Sequence, residues 1–118
     1  MSVSVLLEGV LKEGLVDEFT QICEGAFQVT RAYDGCQGIN LTLNVENQNN
    51  YVLTEVWDSK EHYEKYLAFR TEDGTVDAIT SMCAEGPTIR IFDITDAWIK
   101  SNNLIGVNLI PGFMHEFW

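Results

Sequence analysis

The chain predicts an α+β domain, a four-stranded antiparallel sheet with its helices on one face, and three features predict it. Over residues 38–46, Ile39, Leu41, Leu43 and Val45 alternate with Asn40, Thr42, Asn44 and Glu46, the period of a half-buried strand. Upstream, Leu15, Phe19, Ile22, Ala26 and Tyr33 recur at three-, four- and seven-residue spacings and form one apolar helix face. Downstream, the run from Tyr51 to Trp57 ends in Asp58-Ser59-Lys60-Glu61, a strand that passes straight into a capped helix.

The elements follow in order. Residues 2–11 are strand-like, with Val3, Val5 and Leu7 alternating with Ser2, Ser4 and Leu6. Gly14 opens the first helix, and Asp34-Gly35 closes it as a turn signal. Residues 38–46 and Tyr51–Trp57 read as a hairpin around the cluster Asn47-Gln48-Asn49-Asn50. Asp58 is the expected cap of the next helix, with Glu61 as its capping-box partner. That helix presents Tyr63, Tyr66, Leu67 and Phe69 inward and breaks at Glu72-Asp73-Gly74. A shorter helix places Val76, Ile79, Met82 and Cys83 on one side. Gly86-Pro87 ends it, and Thr88 to Ile94 is the last strand. The order β-α-β-β-α-(α)-β is the ferredoxin-like arrangement. Residues 1–94 make this domain. Residues 95–118 form an apolar extension, expected to pack on the domain or cross to a partner, or else to act as a lid.

A chain of 118 residues suits one domain. A net charge of −11 argues against nucleic acid and anionic membranes, which need a basic footprint. Three cysteines without a CxxC pair suggest neither a disulfide framework nor a zinc site, and fit reduced thiols in the cytoplasm. The N-terminus lacks the features of a signal peptide. No apolar run is long enough to cross a membrane. His62, in a first helical turn, is expected to face solvent. With His115 it makes no metal motif.

The segment Glu55-Val56-Trp57-Asp58-Ser59-Lys60-Glu61-His62-Tyr63, downstream of Asp34-Gly35-Cys36-Gln37-Gly38, resembles the two local signatures of the antibiotic biosynthesis monooxygenase family, in the dimeric α+β barrel superfamily. The resemblance implies a homodimer in which a partner's sheet covers the free sheet face. It implies a cofactor-independent monooxygenase acting on a small phenolic, quinol or polyketide-like substrate. The deprotonated substrate reduces dioxygen, so neither flavin nor metal is required. Trp57 and Tyr63 match the family's cavity residues. Leu53 stands where such enzymes have Asn, and Val76-Asp77 where they have Arg, with Arg70 a possible substitute. Tyr66 occupies a position that is His in many members and Trp in haem-degrading relatives. Val76 stands where those relatives have an iron-ligating His, which argues against haem degradation.

The candidate catalytic residues are thus Trp57, Tyr63 and Tyr66. The candidate substrate-binding residues are Asn40, Leu53, Glu55 and Arg70, and Tyr66, Asn40 and Arg70 are alternatives for holding an oxyanion. Glu55 has two readings. It is an edge or interface carboxylate, with Arg31 and Arg90 as possible partners, or a general base with a pKa raised by partial burial. The competing function is a non-catalytic dimeric module that binds a small molecule or a protein.

Overall fold

A computed structural model describes residues 1–95 and residue 97. Seven elements follow the expected order: β1 (Val3–Leu11), α1 (Val16–Ala32), β2 (Cys36–Asn44), β3 (Asn47–Trp57), α2 (Lys60–Glu72), α3 (Thr75–Ser81) and β4 (Cys83–Asp93). The strands form one antiparallel sheet in the order β2-β3-β1-β4, as the ferredoxin-like arrangement requires. The apolar extension falls almost wholly outside the described residues. No described helix is long and apolar enough to cross a membrane.

Period-two alternation sends Val3, Val5, Leu7 and Leu11 of β1 towards the helices with Tyr51, Leu53, Glu55 and Trp57 of β3. Against them α1 buries Phe19, Cys23, Phe27 and Thr30. This stripe is rotated from the predicted one. Ile22 is 40% exposed, because steps of four residues from Phe19 lead to Cys23 and Phe27 rather than to Ile22 and Ala26. Two apolar clusters result. One gathers Leu7, Phe19, Phe27 and Tyr51, and the other Val3, Val5, Trp57, Tyr63 and Tyr66.

Three boundaries differ from the sequence reading. The hairpin turns at Val45-Glu46, and Asn47–Asn50 belong to β3. The Asn44 side chain accepts the Glu46 N–H at 2.9 Å, a local bond that stops the strand before the apolar alternation ends. Val45 is left 92% exposed. The cap of α2 is Ser59, whose hydroxyl accepts the His62 N–H. Asp58 instead accepts from Gln37 at 2.8 Å. Finally, β4 begins at Cys83 and runs through Gly86-Pro87, which occupies a register irregularity opposite Glu8–Val10. A proline without an N–H is tolerated at such a bulge.

Gly35 is fixed by its surroundings. Its φ is +89°, and an added Cβ would lie 2.5 Å from the His62 ring. Gly35→Ala is expected to destabilise the protein by about 1–3 kcal/mol, measured by urea unfolding. His62→Ala in the same background should recover only the part of the steric cost due to the ring, because its Cβ stays 2.6 Å away, and none of the cost of positive φ.

The other sheet face carries Leu6, Val10, Val52 and Val56, all half-buried, and Phe92 at 48% exposure. No described helix packs on that side.

Candidate functional site

Glu55 is the anomaly of the core. The β3 alternation that buries Leu53 and Trp57 also points this carboxyl at the helices, where it is 3% exposed. The Trp57 indole Nε1–H donates to one carboxyl oxygen at 3.0 Å. No other side chain among the described residues bonds to it. Burial pushes the Glu55 carboxyl up to about 7, and the indole bond only partly opposes this. Glu55 is therefore an interior acid and not an interface carboxylate. Its suggested partners lie elsewhere. Arg31 donates to the Ile39 carbonyl, and Arg90 pairs with Glu8.

Glu55 opens onto a cavity of about 50 Å³ between the sheet, α1, α2 and α3. Leu53 and Phe27 form apolar walls, and α2 supplies Tyr63, Tyr66 and Arg70, spaced to lie along one helix face. The two tyrosines are not equivalent. Tyr63 is 1% exposed, and its hydroxyl has no hydrogen-bond partner among the described residues. Since no fully occluded polar side-chain atom there lacks a partner, this hydroxyl borders the open space. Burial, then the nearby Glu55 charge, raise its pKa, so it stays a proton donor.

Tyr66 is bound on two sides. Arg70 Nε–H donates to its oxygen at 2.8 Å, and Thr30 Oγ1 lies 2.6 Å away. Thr30 Oγ1 also reaches the Ala26 carbonyl at 3.2 Å, which accepts from Arg70 Nη2 at 2.8 Å. Only one proton arrangement pairs every donor. Tyr66 donates to Thr30, and Thr30 donates to Ala26. Arg70 further donates from Nη1 to Asp73 and Thr75. Burial alone would lower the Arg70 pKa, but its bonds to Tyr66 and Asp73 outweigh that and keep it charged.

The remaining candidates fall as follows. Trp57 is fully buried beside the cavity, its ring centroid 4.9 Å from that of Tyr66 and 5.8 Å from that of Tyr63. It reaches the site through Glu55. Asn40 does not join the site. It pairs with Thr54 in the sheet, one residue out of phase with the Ile39–Glu55 pair, so it faces away from the helices and is exposed. His62 is half-buried rather than solvent-facing, with Nδ1 2.6 Å from Ser59 Oγ. Thr30 was not anticipated. Its one signal is its place eleven residues after Phe19 on the buried stripe of α1.

A ferredoxin-like domain with one buried acid facing a small, mostly apolar cavity is the class that fold and site define. The sequence model of the family described as antibiotic biosynthesis monooxygenase matches residues 3–71, and the chain belongs to that family. No curated protein matches the sequence. Solved structures agree on the fold. A conserved protein from Methanosarcina mazei Go1 superposes with a TM-score of 0.74 at 16% identity, over 80% of this chain and 94% of that one. A putative antibiotic biosynthesis monooxygenase from Deinococcus radiodurans gives 0.71 at 19%, over 85% and 98%. SnoaB, a cofactor-independent oxygenase from Streptomyces nogalater, gives 0.72 at 15%, over 84% and 98%.

Proposed function

We propose that this protein is a cofactor-independent monooxygenase that converts a small phenol or quinol with dioxygen, and that Glu55 is its general base. The observation that carries the reading is the buried Glu55 carboxyl, held by Trp57 at one oxygen and free towards the cavity at the other. Glu55 takes the phenolic proton. The phenolate passes one electron to dioxygen, giving a phenoxyl radical and superoxide. These combine at a ring carbon that carries hydrogen, para to the oxygen in a phenol and ortho in a quinol, and the Glu55 acid protonates the resulting peroxide. Glu55 then removes the proton from that carbon as the O–O bond breaks, and passes it to the departing hydroxide. A quinone and water leave, so phenol and O₂ are fully accounted for. The Tyr63 hydroxyl donates to the peroxide oxygen.

About 50 Å³ is well short of the ~300 Å³ of an ordinary ligand pocket. Even a single-ring phenol needs the wall to yield, since a benzene-binding cavity is about 150 Å³, and polyketide-like polycycles need a much larger opening, which favours a single-ringed substrate. The yielding wall is α3, none of whose residues is fully buried. The small volume also favours the second reading, a non-catalytic module that binds a small ligand.

A second copy of the chain covers the apolar sheet face in this proposal. The three free thiols fit a cytoplasmic protein.

Oxygen-uptake assays with single-ring phenols and hydroquinones test the reading. The wild type should consume O₂ above the buffer rate, and Tyr63→Phe should be slower by on the order of a hundredfold. Ligand binding without uptake would leave the binding module.

A further inference from the structure

The mechanism leaves one feature of the cavity unused. Among the described residues Arg70 is the only cation lining it, yet four of the guanidinium's five N–H groups are already engaged. Two of those four bonds belong to a closed circuit, Arg70 Nε to Tyr66, Tyr66 to Thr30, Thr30 to the Ala26 carbonyl, and that carbonyl back to Arg70 Nη2. The circuit joins α1 to α2 and leaves one Nη2–H unengaged, so no pair of parallel guanidinium donors remains for a ligand. A buried guanidinium would otherwise be a strong carboxylate receptor, because its planar fork matches the two oxygens.

We propose that the Thr30–Tyr66–Arg70 circuit is a specificity device that withholds the paired donors of Arg70 from the ligand, so that the site accepts uncharged hydroxyaromatics and rejects their carboxylated counterparts. The inference rests on the cavity being the ligand site, as in the function proposed above. Tyr66 and Arg70 are then positioning residues rather than catalytic ones. Among the described lining residues, Tyr63, the Thr75 hydroxyl and one Arg70 Nη2–H remain as single donors for a ligand oxygen, and Glu55 remains to accept the ligand's own proton. A phenol satisfies a single donor and Glu55 together. A benzoate meets single donors and apolar walls, with no paired guanidinium N–H groups to match its two oxygens and repay its desolvation.

The device can be inverted. Tyr66→Phe keeps the ring in place but removes the acceptor of the Arg70 Nε–H, which frees a charged donor at the site the hydroxyl vacated. Thr30→Val is nearly isosteric and frees the Tyr66 O–H instead. Both variants should gain a ligand that the wild type refuses, an outcome that a merely structural role would not produce.

The test is equilibrium binding of phenol and of benzoate, followed by NMR titration of the whole protein at pH 6, where Glu55 is largely protonated and like-charge repulsion is small. The wild type should bind phenol and not benzoate. Tyr66→Phe should bind benzoate about tenfold or more tighter than the wild type. Thr30→Val should gain in the same direction, and serves alone if Tyr66→Phe does not fold. Adding Arg70→Met to Tyr66→Phe should abolish the gain. The proposal is overturned if the wild type binds benzoate as well as phenol, if it binds neither, if every folded single variant fails to gain benzoate, or if the gain survives Arg70→Met. Phenol binding without oxygen uptake would remove the monooxygenase reading and leave this one standing.

Discussion

Glu55→Gln is expected to stabilise the protein above neutral pH while removing its reaction with oxygen. The folded-state pKa of Glu55 lies near 7, raised from an ordinary 4.5. Below about pH 4.5 the carboxyl is neutral in both folded and unfolded chains and costs nothing. As pH rises from 4.5 to 7, the unfolded chain ionises and the folded one resists, so stability is progressively lost. Above 7 the loss is complete, on the order of 3 kcal/mol for such a displacement. Glutamine does not ionise, and its amide oxygen still accepts from Trp57. The variant should therefore gain about 1–3 kcal/mol over the wild type at pH 8 and almost nothing at pH 4.5, read from urea midpoints at the two pH values. Loss of a general base should slow oxygen uptake by roughly 10²–10⁴-fold. A mutation that stabilises the fold and abolishes the reaction marks a group kept for chemistry at the fold's expense.

Trp57→Phe should move the pH dependence without removing it. The variant keeps an aromatic ring against Tyr63 and Tyr66 but deletes the only N–H among the described residues that bonds the Glu55 carboxylate. That bond favours the ionised form, so its loss drives the Glu55 pKa further up. A hydrogen bond to a charged group is worth about 1.5–3 kcal/mol, which corresponds to roughly one to two pH units. The alkaline rise of oxygen uptake should shift by that amount. At pH 7 activity falls because less base is present, and raising the pH should restore much of it. A fall that pH does not rescue would mean that Trp57 acts on the substrate directly.

The fold was legible because its signals repeat. Three strands show period-two alternation, and the turns at Gly35 and Gly74 carry glycines at positive φ. Local competition obscured the boundaries. Asp58 and Ser59 are both good caps, and only the position of Gln37, brought in by β2, decides that Ser59 takes the role. Val45 continues an apolar rhythm that the Asn44 turn cuts short. Gly86-Pro87 reads as a terminator unless the bulge opposite Glu8 is known.

The candidate site was legible in part for the same reason. Alternation places Leu53, Glu55 and Trp57 on one face of β3, and helical spacing puts Tyr63, Tyr66 and Arg70 together. It does not say how deep Glu55 lies, which depends on α2 closing over it. Nor does it show that Arg70 is committed to Tyr66, a bond completed by Thr30 and the Ala26 carbonyl from another helix. The same alternation that buries Ile39 turns Asn40 to the opposite, polar face, and the sheet register keeps it there, away from Glu55.

The account turns on the ionisation of one buried carboxyl. Its most direct test is the carboxyl-carbon NMR titration of Glu55, in protein labelled at glutamate and assigned by its absence in Glu55→Gln. A midpoint near pH 7 is the predicted result. A midpoint in the ordinary glutamate range, near 4.5, would contradict it, because Glu55 would then be an unexceptional, solvated acid.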